Sequence, residues 1–517
     1  MNNNNRQEKV IRNVSAQMIA SLVQSLLGFV SRKFFLDCLG QELLGLNSLL
    51  TSIIGMLSLA ELGIAESINF SLYAPLAKGD QEQVASIMRL YRKLYSIIGI
   101  VVGVLGIALF PFLDLLVESS VSMETVYWAY GLFLLGSVSS YYVAYKRSLM
   151  IADQQDYVVT NIDTVAQIIL SAVEIVALLL TKSFFLYLVL KILVPLLRNI
   201  YISRLADKRY PYAKKKEVKP LSKEYMTTLT SNIKAMFTIR VATFCVSGTD
   251  NMLLSGFVDL AAVAIYNNYV TVIAMLNKTF NVIFSKAISV IGNYLVLNGK
   301  ENSYPLFKRI FFTNFVVTSY TAIGFAVVSN AVITAWLGAN HIWGMGMAAL
   351  LAFNNYSRHI LQTCEAFRSA AGLYSPKPFV KFLALFEGIL NLIASLTLIW
   401  IMEDNVAAIF LGTSISTVVS TVAVPWIVYR FLFERPLREF FGIYFKYFAI
   451  MMAALVGSGV LFHFLMTPYV ILNILTGVAA CTVVTGGLYL LLFWRTDEFQ
   501  YNLSVAMRFL RKKLHKS

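Results

Sequence analysis

From residue 13 to residue 493 the chain repeats one pattern, about twenty mostly apolar residues followed by a short polar break. A helix of that length covers roughly 30 Å, the thickness of bilayer hydrocarbon. The runs fall at 13–34, 43–64, 94–117, 125–145, 158–181, 183–203, 229–256, 261–283, 309–334, 344–366, 379–401, 405–429, 442–465 and 468–493. Lipid satisfies no backbone hydrogen bond, so runs this long must be helical. With 58% hydrophobic and only 14% charged residues, the pattern predicts an all-α polytopic membrane protein of about 14 transmembrane helices.

The net charge of +15 would point a soluble protein toward nucleic acid. Here its distribution argues otherwise. If both termini are cytosolic, most of the 43 Lys and Arg lie in cytosolic segments, and the outer loops hold Arg32, Lys33 and Lys182. This is the positive-inside pattern. It predicts cytosolic N- and C-termini in the cell (cytoplasmic) membrane, contact with membrane lipids, and no nucleic-acid partner. Cys38, Cys245, Cys364 and Cys481 lie in or beside spans without CxxC spacing, and the four histidines are scattered. Such cysteines read as small buried apolar residues, and no metal site is expected. The leader MNNNNRQEKVIRN has no A-x-A pattern after the first apolar run, so that run is expected to stay as a helix. The cytosolic loops lack a P-loop glycine pattern, which argues against a nucleotide site, and no cofactor is expected. The tail YNLSVAMRFLRKKLHKS reads equally as a basic amphipathic helix on the inner leaflet or as a solvated end.

The longest polar interruption, RLADKRYPYAKKKEVKPLSKEY from residue 204, has six spans before it and eight after. Across it the halves repeat weakly. GLNSLLTSIIGML from residue 45 lies over AIYNNYVTVIAML from residue 264, and AKGDQEQ and LNGKENS follow at nearly the same offset. Six crossings return a chain to its starting side, so spans 1–6 and 7–12 predict two six-helix lobes in a pseudo-twofold relation about the membrane normal. The expected divisions are an N-terminal lobe (1–203), a basic cytosolic linker (204–228), a C-terminal lobe (229–430), two additional helices (431–493) and a basic cytosolic tail (494–517).

Charge at bilayer depth is costly and needs a partner or a wet cavity. Spans 5 and 6 turn near residue 182, which puts Glu174 and Lys191 at similar depth and Asp163 near Arg198. Ion pairs within the hairpin are the default there, with an acidic lumenal face of Asp163, Gln167 and Glu174 as the alternative. Arg358 and Glu387 stand in the same relation across the turn near residue 374, and Asn354 and Glu365 share the face of Arg358. Spans 7 and 8 differ, because Arg240 and Lys278 are eighteen and twenty residues from the turn near residue 258 and carry the same sign. Arg240, Thr243, Ser247 and Asp250 form one polar stripe; Asn267, Thr271, Lys278 and Asn281 form another. Two such stripes with like cations predict a hydrated cavity for an anion, extended toward the cytosol by Lys234. A bland alternative pairs Arg240 with Glu61 of span 2. Across from them, span 1 offers Asn13, Gln17, Ser21, Gln24 and Ser31 on one side, amides and hydroxyls that suit sugar hydroxyls or plain helix packing.

The opening from Arg12 to Asp80, with LGxxxLGLNSLL, AELGIAESI and AKGD before a basic amphipathic stretch, resembles the Wzx-type polysaccharide and oligosaccharide flippases. These belong to the multidrug/oligosaccharidyl-lipid/polysaccharide (MOP) exporters, which include the MATE transporters. The resemblance implies alternating access around a central lumen and a cargo of oligosaccharide on undecaprenyl pyrophosphate. It further implies lumenal cations that hold the pyrophosphate and a groove for the lipid tail formed with spans 13 and 14. By position Arg240 and Lys278 suit the cationic role.

The leading expectation is thus a non-enzymatic flippase of lipid-linked repeat units for capsule, exopolysaccharide or O-antigen synthesis. A pyrophosphate leaving water needs several cationic donors. The alternatives are a MATE-like multidrug or other lipid-intermediate exporter, and a membrane-embedded polysaccharide polymerase or ligase, which would need a sizeable outer loop. Asp250, Glu61, Asp163 and Glu174 are candidate H+ or Na+ sites, and other polysaccharide assembly proteins are candidate partners.

Overall fold

A computed structural model describes residues 3–117, 121–214, 248–299, 303–373 and 382–514, with isolated positions between 218 and 244. Regular structure among the described residues is helical throughout. The chain divides into two compact units, residues 1–264 and 265–517.

Unit 1 contains α1 (Asn3–Leu39), α2 (Gln41–Leu57), α3 (Leu59–Lys78), α4 (Gln81–Leu109), α5 (Met123–Ala144), α6 (Arg147–Ala152), α7 (Asp156–Thr181), α8 (Phe184–Arg209) and α9 (Asp250–Phe257). α10 (Leu260–Asn298) opens at its end. α1 packs along α7, α5 along α8, and α7 and α8 form a hairpin.

Unit 2 continues with α11 (Tyr304–Leu337), α12 (Met345–His359), α13 (Gln362–Ala370), α14 (Leu383–Ile401), α15 (Asn405–Val428), α16 (Leu437–Leu465), α17 (Val470–Phe493) and α18 (Asp497–Leu514). α11 is its central post, packed against α12, α16, α17 and α18. Phe307, Phe311 and Phe315 recur every four residues on one face of α11 and are almost fully buried. Phe315 stacks on Tyr447 of α16 with ring centroids 4.2 Å apart. These contacts fasten the two additional helices to unit 2.

Ten of the described helical segments are long and apolar enough to cross a membrane. Rows of large apolar side chains point outward, such as Val165, Ile169, Val173, Val176 and Leu180 on α7. In water such a face would be a liability, and in a bilayer it is the solvated surface. The protein is a multi-pass membrane protein.

The other four expected spans differ for local reasons. The run 43–64 is split: α2 ends at Leu57 and α3 starts at Leu59, while the Ser58 N–H still reaches Ile54 O at 2.9 Å. The run 344–366 splits at residues 360 and 361 into α12 and α13. The run 125–145 is covered by one unbroken helix, α5, whose Tyr, Trp and Ser residues lower its mean hydropathy, and the chain turns at 145–146 into the short α6. Much of the run 229–256 lies outside the described residues, and α9 is its described end.

These departures bear on the repeat. The break after α5 comes at the end of the fourth span and the break after α12 falls within the tenth, and each leads into a short helix. The two aligned turns also match. Gly79 closes α3 at φ 70 and Gly299 follows α10 at φ 76, a left-handed conformation that glycine reaches without a Cβ penalty. Asp80 then caps α4 by accepting from Gln83 N at 2.9 Å. The AKGD motif is therefore a helix stop followed by a helix start.

Candidate substrate cavities

The interior of unit 1 concentrates charge around α8. A cavity of about 370 Å³ is lined by α2, α3, α5 and α8, with Thr51, Ser58, Glu61, Ser140, Lys191 and Arg198 among its polar groups. A second, of about 390 Å³, is lined by Ser31 and Arg32 of α1, Asn47 of α2, Gln167 and Glu174 of α7, and Tyr187 and Lys191 of α8. Lys191 borders both.

Lys191 Nζ donates to Asn47 Oδ1 at 2.6 Å and lies 4.8 Å from the centre of the Phe133 ring. No ion pair within 4.0 Å joins it to Glu174. The expected direct ion pair is thus corrected: an amide from α2 holds the ammonium, while Glu174 lines the same cavity and attracts it from beyond contact distance. The second expected pair does form: Arg198 Nε is 3.4 Å from Asp163 Oδ1, and Arg147 at the start of α6 binds the other oxygen of the same carboxylate. Asp163 thus ties α6, α7 and α8 together.

Glu61 accepts from the Tyr95 hydroxyl at 2.8 Å, and Tyr95 accepts from Tyr91 at 3.0 Å. Tyr141 donates to Ser58 Oγ at 2.9 Å, and Asn199 Nδ2 donates to Ser140 Oγ at 3.2 Å. These bonds fix the walls of the first cavity, so its polar groups are pre-oriented.

Arg32 was expected in an outer loop. It instead sits inside α1, which continues to Leu39, and its guanidinium donates to Ala264 O at 2.9 Å. Sequence reasoning missed Arg32 and Asn47. The available signal was the apolar stretch FFLDCL after Arg32, which prolongs the helix past the charged doublet.

Of the remaining expected site residues, Gln17 donates to Asp156 Oδ2 at 2.6 Å, a tie between α1 and the start of α7. Gln24 is exposed on α1. Glu174 and Asp250 are buried, Asp250 as the first residue of α9. On α10, Asn267 and Thr271 are half-buried, Thr271 donates back to Asn267 O at 2.7 Å, and Lys278 is exposed. Lys234, Arg240, Thr243, Ser247 and the side chain of Asn281 lie outside the described residues.

Among the described residues, unit 2 is less charged inside. Glu387 is buried and accepts from Ser420, whereas Arg358 is exposed and makes no ion pair with it within 4.0 Å. The expected direct contact is thus corrected, and Arg358 attracts the Glu387 carboxylate only from beyond that distance. Asn354 is held by Phe410 O at 2.9 Å and by the Ser414 hydroxyl at 2.6 Å. An apolar groove of about 440 Å³ runs between α12, α15 and α16, with Phe353, Val418, Val422, Phe441 and Phe445 in its walls.

No protein-family model and no curated protein matches the sequence. Solved structures do. The lipid II flippase MurJ in an inward closed conformation superposes with a TM-score of 0.60 at 16% identity, over 91% of this chain and 98% of that one. The fold is that of MurJ and the MATE transporters. An inward-facing multidrug resistance MATE transporter of the MOP superfamily gives 0.55 at 13% identity, over 79% of this chain and 94% of that one. A variant of the Vibrio cholerae MATE transporter VcmN gives 0.54 at 13%, over 83% and 98%. These identities establish architecture, and the chemistry has to come from this chain's own residues.

Proposed function

We propose that the chain is a flippase that carries undecaprenyl-pyrophosphate-linked oligosaccharide repeat units across the cytoplasmic membrane, for capsule, exopolysaccharide or O-antigen synthesis, by alternating access. The observation that carries this reading is Lys191, a cation within an apolar bundle that borders two polar cavities and is held by an amide. Its hydrogen-bond partner is neutral, and although the Glu174 carboxylate lines the second cavity with it, no ion pair within 4.0 Å among the described residues engages the ammonium, so it can take an anionic ligand. Arg32 in the second cavity supplies another donor, and the hydroxyls and amides around them suit sugar hydroxyls.

Arg240, Lys278 and Lys234 are assigned the same pyrophosphate-holding role in the second half. Thr243, Ser247, Asn267, Thr271, Asn281, Gln17 and Gln24 are assigned to the glycan. The apolar groove beside α16 supports a lipid tail that stays in contact with the bilayer. Glu61, Glu174 and Asp250 are the carboxylates assigned to H+ or Na+ coupling, with Asp163 as a further candidate.

A second reading, a multidrug exporter of the MATE kind, is favoured by the buried carboxylates Glu174 and Glu387, which suit cationic cargo. Removal of the protein from its host separates the two. A flippase predicts accumulation of lipid-linked repeat units and loss of surface polymer with unchanged drug sensitivity. Intact polymer with increased sensitivity to cationic drugs refutes it.

A further inference from the structure

A third pocket in unit 1 shares no lining residue with the two interior cavities. It has a volume of about 550 Å³ and lies where the third and fourth turns of α4, the break between α5 and α6, and the last turn of α8 meet. Among the described residues its charged lining is Arg89, Arg92, Lys146 and Asp207, three cations against one carboxylate. Lys146 Nζ and Asp207 Oδ2 are 2.8 Å apart, and each side chain is about one-fifth exposed, 22% and 19%. That bond pins the helix break to α8 and sets the position of the ammonium.

The arginines stand three residues apart on α4, hence on one face, and both are exposed. Tyr145 and Tyr210 close the pocket from behind and are buried. Tyr210 donates to Asp153 Oδ2 at 2.8 Å, and burial together with that bond pushes its ionisation well above the usual tyrosine range. It therefore adds no negative charge at neutral pH. A compact, net-positive pocket at the ends of membrane helices is the setting in which phosphate headgroups are held, and guanidinium forks match phosphate oxygens in pairs.

We infer that this pocket binds a phosphate group, carried by an anionic membrane lipid or free in solution, and that the bound phosphate clamps α4, the α5–α6 break and α8 together. The inference is independent of the cargo proposed above. Nothing in it requires the interior cavities to hold pyrophosphate.

The test uses the purified full-length protein in detergent, with unfolding temperature followed during titration with phosphatidylglycerol, phosphatidylcholine or inorganic pyrophosphate. Wild type is expected to be stabilised by several degrees by phosphatidylglycerol and not by phosphatidylcholine. The double variant Arg89→Gln/Arg92→Gln is expected to need at least ten-fold more lipid for the same shift. Stabilisation by pyrophosphate as well assigns the site to phosphate from either source, and stabilisation by phosphatidylglycerol alone assigns it to lipid. If the double variant does not fold, Arg92→Gln alone, at an exposed position, carries the comparison. Equal responses of wild type and variant, or no response of wild type to either phosphate source, overturn the inference.

Discussion

The Lys191 ammonium lies 2.6 Å from Asn47 Oδ1, so a cation of α8 is held by an amide of α2. Replacement by Met keeps most of the stem and removes the charge. A charge-assisted hydrogen bond to phosphate is worth about 1.5–3 kcal/mol, so transport by Lys191→Met is expected to fall about 10- to 100-fold. Surface polymer per inserted protein is the readout. Lys191→Arg should retain more activity than Lys191→Met; the reverse order would remove Lys191 from the anion site.

Asp163 behaves as a structural anchor. Its loss leaves the Arg147 and Arg198 guanidinium groups facing each other without the carboxylate between them. All three side chains are mostly buried, and Asp163→Asn is expected to cost about 2 kcal/mol. Arg147→Gln added to it should recover part of the loss, a non-additivity that thermal unfolding in detergent detects.

Much of this architecture is legible in the residues, and the exceptions have physical causes. The AKGD turn is visible because glycine and aspartate at those positions have specific backbone roles. The splits at Ser58 and at residues 360–361 are invisible to hydropathy, since the apolar run continues through them with neither Gly nor Pro at the break. Arg32 is misplaced because a charged doublet normally marks a helix end, whereas here a backbone carbonyl near the start of α10 accepts its guanidinium. The hairpin pairing of Glu174 and Lys191 follows from depth alone. Depth does not reveal that Asn47, more than a hundred residues earlier, reaches the ammonium first.

The hairpin of α14 and α15 depends on a missing side chain. A Cβ on Gly412 would sit 2.6 Å from Ser395 N and 2.7 Å from its Cα, where the backbone cannot yield cheaply. Asn391 seals the same contact by donating to Thr413 Oγ1 at 3.0 Å. Gly412→Ala is expected to destabilise the protein by about 1–3 kcal/mol through overpacking. An unchanged unfolding temperature would show that the two helices separate freely.

Phe315 anchors α16 and α17 to α11 through its stack on Tyr447 and its contacts with Tyr489 and Phe493. Phe315→Ala is expected to cost about 3–5 kcal/mol and Phe315→Leu considerably less. Limited proteolysis should release the segment after residue 434 from the alanine variant first.

The central claim is tested most directly in liposomes that hold labelled polyprenyl-pyrophosphate oligosaccharide in both leaflets, with a membrane-impermeant glycosidase added outside. With the full-length protein, the glycan protected in the inner leaflet is expected to become cleavable, and with Lys191→Met to do so at least ten-fold more slowly. An inner pool that stays protected in the presence of folded, inserted protein would contradict the account.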